Sequence, residues 1–202
     1  MFKKFAVIIL GVLLFNTLFA IEDKLKENKI VISANDQQAL IYMREEEKLA
    51  RDVYIVLGDK WGLRIFQNIA KSEQIHTDMV KNLILGYGIA DPVVNDSIGK
   101  FTDDKLQKLF SELVEKGSKS KVDALLTGAK IEDLDIYDLN EYLLKVKDAK
   151  IKDVFKKLRL GSENHMRAFS NWLRKEDTKY EVEFISNKEY KDILEAKKIK
   201  KK

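Results

Sequence analysis

Five ionisable side chains interrupt apolar, helix-spaced segments of this sequence, at positions where chemistry could take place. They are Glu47, Glu73, His76, Glu132 and His165. The apolar residues around them recur every three or four positions, so one face of each predicted helix should point into a core. An isolated carboxylate buried in that core costs several kcal/mol of stability unless it is paired, protonated or bound to a metal. Because four segments carry such groups near their midpoints, we expect the groups to meet one another.

Carboxylates and imidazoles brought together are ligands for divalent first-row metals. Glu73 and His76 are three residues apart, so both can face one ion from the same helix. Carboxylates from facing helices can also bridge two ions. The alternative interpretation is a metal-free network of buried polar groups. In the first segment Glu46 competes with Glu47, and the spacing to Tyr54 favours Glu47.

Four long segments with helical periodicity must position these groups. They cover residues 36–58, 63–86, 119–146 and 149–174. The connection 87–118 contains a short predicted helix, with Thr102 as its N-cap and Gly117 just past its end. A capping-box pattern at Ser186 predicts another short helix near the C-terminus. This order predicts an all-α protein in which residues 36–175 form a four-helix bundle, with a long crossover between helices 2 and 3.

The motifs on these segments are similar to those of rubrerythrins and related ferritin-like proteins. The run from Glu47 to Tyr54 resembles their first-helix pattern. Three further motifs resemble their second, third and fourth helices: Glu73-Gln74-Ile75-His76, Glu132-Asp133-Leu134-Asp135 and Ser162-Glu163-Asn164-His165. The resemblance implies a ferritin-like bundle with a di-iron or other dimetal site, in an uncharacterised archaeal and bacterial branch of that superfamily. Its better-known members have ferroxidase, peroxide reductase or oxygenase-type activity.

One position departs from the family pattern. The family has a carboxylate three residues before the last histidine, where this chain has Ser162. Glu163 is one position away and points about 100° aside on an ideal helix. Three outcomes are open: Asp135 supplies the missing oxygen, a π-bulge turns Glu163 inward, or the second metal position is weak or empty. We favour Asp135, which lies one helical turn from Glu132.

The two ends of the chain differ from its middle. Residues 1–20 combine Lys3 and Lys4 with a short apolar run and a small residue at a cleavage point, which predicts a signal peptide rather than an uncleaved anchor. Residues 176–202 form an extension with a basic tail. The net charge of +4 comes from these ends, so the rest of the chain is mildly acidic and unsuited to nucleic acid. With no cysteine, thiolate metal sites and cysteine nucleophiles are excluded.

These observations support two functional hypotheses. The first is a secreted or periplasmic metal-binding protein that holds two ions, with iron favoured and manganese or zinc acceptable. Its ligands would be Glu47, Glu73, His76, Glu132, His165 and Asp135. Oxygen or peroxide chemistry and a homodimer are compatible with this hypothesis, while stable membrane insertion after signal cleavage is not expected. The second is a non-catalytic helical module of the cell envelope with a metal-free polar core.

Overall fold

The computed structural model describes residues 32–196, which form six α-helices and contain no β-strand. In chain order they are α1 Ala34–Trp61, α2 Arg64–Gly86, α3 Asp104–Gly117, α4 Lys121–Lys145, α5 Ala149–Lys175 and α6 Asn187–Glu195. The prediction of an all-α protein is therefore confirmed for this part of the chain. The predicted signal peptide and the basic tail after Ala196 lie outside the described residues. Among those residues, no helix is both long enough and apolar enough to cross a membrane.

The first helix is longer than its predicted range of 36–58. It begins at Ala34 because the Ser33 hydroxyl accepts a hydrogen bond from the backbone N–H of Asp36, whose carboxylate bonds back to Ser33. The helix also continues through Gly58 to Trp61. It ends at Gly62, which has a φ of 64°, a conformation that a residue without a Cβ adopts at little cost.

The short helix α3 corrects two predicted boundaries. Its N-cap is Asp103 and not Thr102, because the Thr102 hydroxyl donates to a carbonyl of the preceding connection at 2.6 Å. The Asp103 carboxylate accepts the first backbone N–H groups of the helix instead. Gly117 is the last helical residue rather than the residue past the end. Ser120 then caps α4 through its side chain, which accepts the backbone N–H of Asp123.

The four long helices pack around a common core. Helix α1 packs along α2 and α4 packs along α5, while α1 also contacts α4 and α2 contacts α5. Tyr54, Phe66 and Phe169 form an aromatic cluster with ring centroids 5.4 to 5.9 Å apart. Gly128 allows α4 to approach α5, since a Cβ there would lie 2.4 Å from the Phe169 ring. Each fully buried Leu or Phe side chain of this core contributes about 1.5–3 kcal/mol.

The connection between α2 and α3 covers α1 on the side that the other long helices leave open. As a result, residues 43–54 of α1 are buried without interruption, charged side chains included. Lys48 is fully buried, forms an ion pair with Asp52 at 2.5 Å and donates to the carbonyl of Ser97 at 2.9 Å. The Asp52 carboxylate also accepts the backbone N–H of Gly99. These partners hold the connection on α1 and satisfy two buried charges.

One carboxylate holds the segment after α5 on α4. Asp133 is fully buried. It accepts hydrogen bonds from the Tyr180 hydroxyl and from the backbone N–H groups of Glu183, Phe184 and Ile185. Helix α6 is held by Arg167 of α5, which donates to the carbonyl of Ile193 at 2.9 Å. The described part of the C-terminal extension is thus packed on the helices that carry Glu132 and His165.

Candidate metal centre

The five ionisable residues predicted from the sequence lie together between the four long helices. Helix α1 contributes Glu47, α2 contributes Glu73 and His76, α4 contributes Glu132 and α5 contributes His165. All five are buried, with exposed fractions from 1% to 8%. Each lies near the middle of its helix, where the backbone is rigid and every peptide group is already hydrogen-bonded within the helix. The structure therefore brings these side chains into one water-poor site.

Glu73 is shared by two clusters of ligand atoms. Its Oε2 lies 2.7 Å from Nδ1 of His76, and its Oε1 lies 2.7 Å from Nδ1 of His165. On the first side, Glu47 Oε2 is 3.2 Å from the His76 Nδ1. On the second side, Glu132 Oε2 is 3.5 Å from the His165 Nδ1. Each cluster thus contains one imidazole, one carboxylate of its own and one oxygen of Glu73, with ligand atoms all within 4.8 Å.

The donor atoms are spaced as ligands of two divalent ions could be, and their hydrogen bonds do not form a complete network. The approach of His165 Nδ1 to Glu73 is short but not aligned as a hydrogen bond, and one oxygen of Glu47 is buried without a partner. Ligand atoms bound about 2.1 Å from one ion are roughly 3.0–3.5 Å apart. The distances from Glu47 to His76 and from Glu132 to His165, 3.2 and 3.5 Å, fall in that range, and the two distances from Glu73, 2.7 Å each, are slightly shorter. The two imidazole rings are nearly parallel, with centroids 5.5 Å apart.

Without an ion, the charges of the site are balanced by protons. Burial opposes the charge on both imidazoles, but Glu47 and Glu73 raise the pKa of His76 to about 12. Glu73 and Glu132 similarly raise the pKa of His165 to about 10. The two imidazolium groups lower the pKa of Glu73 in spite of its burial. Burial raises the pKa of Glu47 to about 7, although His76 opposes this change. In this form both histidines carry protons that a metal ion would have to displace.

Two neighbours of the site orient its ligands. The Tyr54 hydroxyl donates to Oε1 of Glu132, which leaves Oε2 to face His165. The His76 ring lies against Gly161 of α5, where an added Cβ would be 2.4 Å from its Cε1 and Nε2. Gly161 therefore leaves the space in which the ring lies with Nδ1 toward the carboxylates. The sequence analysis did not identify this role, although a glycine one turn before His165 in the same stripe was a visible signal.

The structure removes one of the three alternatives left open at Ser162. The Ser162 hydroxyl donates to Oδ2 of Asp135, which places a buried carboxylate opposite the serine. The other oxygen of Asp135 is buried without a partner. Glu163 points away and pairs with Arg159 at 2.8 Å, and α5 is α-helical throughout, so no π-bulge turns Glu163 inward. Asp135 belongs to neither three-residue cluster, but burial and the charges of Glu47 and Glu132 raise its pKa well above the usual value.

Glu46 occupies a second buried position beside the site. It is 4% exposed and neither of its carboxylate oxygens has a hydrogen-bond partner. Burial and the negative charge of Asp138, a residue not predicted from the sequence, raise the pKa of Glu46 well above its usual value. Acidic residues at 132, 135 and 138 recur every three positions along α4, and that spacing could have revealed Asp138. The choice of Glu47 over Glu46 for the histidine cluster agrees with the placement of both residues.

Comparison with known proteins assigns this chain to one family. The chain belongs to the family described as "Uncharacterized protein domain (DUF2202)", whose model matches residues 36–197. The matched range includes all of the residues that form the two clusters.

Two similarities to an archaeal protein accompany the family match. The chain is 53% identical over 165 residues to the uncharacterized protein MJ0754 of Methanocaldococcus jannaschii, a match that covers 82% of this chain and 89% of that protein. A solved structure described as the crystal structure of hypothetical protein MJ0754 from Methanococcus jannaschii matches with a TM-score of 0.82 at 52% identity. That alignment covers 84% of this chain and 97% of the other. The helical architecture is thus shared with a protein of known structure.

Proposed function

We propose that this chain is a ferritin-like metal-binding protein with a dimetal carboxylate–histidine centre. The observation that carries the proposal is the position of Glu73, with one oxygen beside each histidine. Glu73 would bridge two ions, Glu47 and His76 would complete one ligand set, and Glu132 and His165 would complete the other. Oxygen and imidazole donors suit iron, and manganese or zinc would also be accepted.

The order of the helices supports the ferritin-like assignment. Two long helices precede the connection that contains α3, and two long helices follow it. Ferritin-like bundles have one long crossover of this kind and project carboxylates and Glu-x-x-His pairs inward from facing helices. In this chain α2 supplies the Glu-x-x-His pair, while Ser162 replaces the corresponding carboxylate on α5. Asp135, hydrogen-bonded to Ser162, is the residue available to supply the missing oxygen.

The proposed chemistry is slow oxidation of Fe(II), with oxygen or peroxide as the oxidant. Bound iron would supply the electrons that reduce the oxidant. The protein would keep the centre dry through burial of all five ligands, and Tyr54 would position Glu132 by its hydrogen bond. The absence of cysteine from the sequence removes a rubredoxin-like electron donor within the chain. For that reason we favour ferroxidase-like turnover or metal binding over autonomous peroxide reduction.

The proposed location is outside the cytoplasm, in the periplasm or beyond the cell. It is supported by the signal-peptide pattern of residues 1–20. Mass spectrometry of the protein isolated from its native host tests this proposal directly. Cleavage after Ala20 would support export, and an intact N-terminus on a protein found in the cytoplasm would contradict it.

Anaerobic loading with Fe(II) tests the proposed activity. We expect the loaded protein to consume added oxygen or peroxide faster than the same concentration of free Fe(II). Glu73→Gln should abolish the difference, while Glu163→Gln, on the outer side of α5, should retain it. Loaded protein that consumes neither oxidant would contradict the oxidative activity. A protein that binds no metal, and whose thermal stability is the same with and without chelator, would instead be the metal-free envelope module.

A further inference from the structure

A cleft of about 580 Å³ opens between α5, α6 and the segment that joins them. Helix α5 lines it with Arg167, Ser170 and Arg174, which share one face of the helix because they are three and four residues apart. Tyr180 of the joining segment and Tyr190 of α6 also line it, with ring centroids 6.3 Å apart. A cleft of this size accommodates a small molecule, and none of the five residues of the candidate metal centre lines it.

The lining of this cleft carries an excess of positive charge. It contains four cationic side chains: Arg167, Arg174, Lys179 and Lys191. Among the described residues that line the cleft, Glu181 is the only acid. Lys191 has an acidic neighbour in Glu195, but both are exposed and their charged atoms are 3.9 Å apart. A concave surface with several charges of one sign attracts ligands of the opposite sign, so the cleft should attract anions.

Arg167 is the buried cation of this cleft, with only 7% of its surface exposed. Its Nη1 donates to the carbonyl of Ile193 at 2.9 Å, its Nη2 donates to the side-chain oxygen of Asn164 at 2.6 Å, and its Nε is buried without a partner. Arg174 likewise donates to the side-chain oxygen of Asn171. In the described part of the chain, neither guanidinium is therefore paired with a carboxylate. Because arginine does not lose its proton in proteins, an anion is needed to neutralise the buried charge.

The cleft also offers a polar hydrogen and an apolar surface. The Ser170 and Tyr190 hydroxyls lie 3.0 Å apart, and one donates to the other. The second hydroxyl hydrogen of this pair remains for an acceptor in the cleft. The ring of Tyr190 and the exposed side chain of Leu194 provide apolar contact area beside these donors. An anion with a planar organic part would use both kinds of surface.

We propose that this cleft binds a small organic phosphate. Its phosphate group would be held by Arg167 and Arg174, and its planar part would pack against Tyr190 and Leu194. Guanidinium groups bind phosphate oxygens through paired N–H donors, and a phosphate dianion matches several cations better than a single carboxylate does. The inference goes beyond the proposed function and does not depend on metal binding.

Isothermal titration calorimetry of the purified protein with adenosine monophosphate tests this proposal, because this probe combines a phosphate with a planar ring. We expect saturable binding of one molecule per chain that weakens as the salt concentration is raised. Inorganic phosphate lacks the ring and adenosine lacks the phosphate, so each should bind more weakly by about tenfold or more. Binding of either one as tightly as adenosine monophosphate would refute an organic phosphate as the ligand.

Substitutions of the cations locate the binding. Arg174→Gln, at an exposed position, and Arg167→Lys, which keeps the charge but loses the paired donors, should each weaken binding by about tenfold. Arg174→Gln keeps the test valid if Arg167→Lys loosens α6 through loss of the bond to Ile193. Lys157→Gln removes the same charge from an exposed position of α5 outside the cleft and should bind as wild type does.

Two outcomes would overturn the proposed site. One is the absence of saturable binding of adenosine monophosphate to the wild-type protein. The other is binding to Arg174→Gln that is as tight as binding to Lys157→Gln, which would show that the cleft does not hold the phosphate. All three variants leave the proposed metal ligands in place, so either outcome is separate from a failure of the dimetal centre.

Discussion

At the scale of single residues, the candidate centre is defined by the competition between protons and metal ions for the same atoms. Glu73 lies between two imidazolium groups, and their charges keep its carboxylate ionised despite full burial. His76 and His165 hold protons because carboxylates surround them. Protons on the histidines would thus neutralise the same carboxylates that metal ions would neutralise. For this reason the candidate ligands can stay in place in the metal-free protein.

The first prediction concerns these protons. The pKa values of about 12 for His76 and about 10 for His165 mean that both imidazoles are charged at pH 7 in the metal-free protein. Binding of two ions should therefore release at least two protons per chain, one from each imidazolium and a further fraction from Glu47, whose pKa is about 7. Because protons compete with the metal, the affinity for each ion should fall about tenfold for every unit by which the pH is lowered. Titration in weakly buffered solution, followed with a pH electrode, measures both effects.

His165→Gln is the control for this titration. It removes one of the two protonated imidazoles, so the variant should release about one proton fewer on metal binding. Metal binding with no proton release, or with an affinity independent of pH, would show that the ion does not displace protons from the histidines.

The second prediction concerns Gly161. An alanine Cβ would lie 2.4 Å from two atoms of the His76 ring, so Gly161→Ala should turn the ring away from Glu47 and Glu73. We expect the metal content to fall from about two ions to about one, with a loss of stability of about 1–3 kcal/mol from overpacking. Elemental analysis and thermal unfolding measure the two effects.

Gly86→Ala is the matched control, because nothing lies within 4 Å of the position that its Cβ would occupy. It should keep the wild-type metal content. If Gly161→Ala also binds two ions per chain with unchanged affinity, the orientation of the His76 ring does not matter for binding.

At the scale of the helices, hydrogen bonds to buried charged side chains hold the irregular segments on the long helices. The connection 87–103 lies on α1 through Lys48, Asp52 and their neighbours, and the segment after α5 lies on α4 through Asp133. Both attachments place loops beside helices that carry the proposed metal ligands. Loss of either attachment should therefore lower the stability of the protein more than it changes metal binding at the candidate centre.

The third prediction tests the attachment of the connection. Lys48 and Asp52 are both fully buried, so Lys48→Met leaves the Asp52 charge without its closest partner. Removal of one partner of a buried pair costs about 3–5 kcal/mol, and we expect a loss of that size in chemical unfolding. Lys108→Met is the control: Lys108 and Glu112 are exposed, and such pairs contribute about 0–1 kcal/mol. Equal effects of the two substitutions would mean that the buried pair does not hold the connection.

The fourth prediction tests the attachment of the C-terminal segment. Asp133→Asn replaces a charged acceptor of four hydrogen bonds by an amide with one acceptor oxygen. The backbone N–H groups of residues 183–185 should exchange with deuterium faster, while those of α1 should stay protected. Asp153→Asn, at an exposed position of α5, should change neither. Unchanged exchange in Asp133→Asn would show that other contacts hold the segment.

Periodicity predicted the long helices of this chain but not the segments that pack on them. The apolar stripes placed the four long helices correctly because buried faces repeat every three or four residues. The charged run around Lys48 gave no sign of burial, since ion pairs with a distant loop leave no periodic pattern. The short helix α3 was predicted with the wrong N-cap because a tertiary hydrogen bond engages the Thr102 hydroxyl.

The candidate site was predictable for the same reason as the helices. Glu47, Glu73, His76, Glu132 and His165 all replace apolar residues in a stripe, so the sequence alone indicated that they meet. The sharing of Glu73 between the two histidines was not predictable, because it depends on the rotation of four helices about their axes. The burial of Glu46 without a hydrogen-bond partner was not predicted, because this residue lies at the edge of its stripe.

At the scale of the whole molecule, the connection packs on α1 and the C-terminal segment packs on α4 and α5, the helices that carry Glu47, Glu132 and His165. Buried carboxylates and imidazoles destabilise a fold unless an ion or protons neutralise them. Without such neutralisation, the burial of these groups would lower the free energy of unfolding. Metal that binds only the folded state should stabilise the whole molecule in proportion to the logarithm of its free concentration. Metal binding through one carboxylate, Glu73, should thus raise the stability of the entire fold.

The most direct test of this account is the metal content of residues 21–202, purified without chelator and loaded anaerobically with Fe(II). Elemental analysis should find about two ions per wild-type chain. Glu73→Gln should lose both ions, because each ligand set depends on one oxygen of Glu73, while Glu163→Gln should keep both. No metal in wild type, or two ions still bound in Glu73→Gln, would contradict a dimetal centre bridged by Glu73.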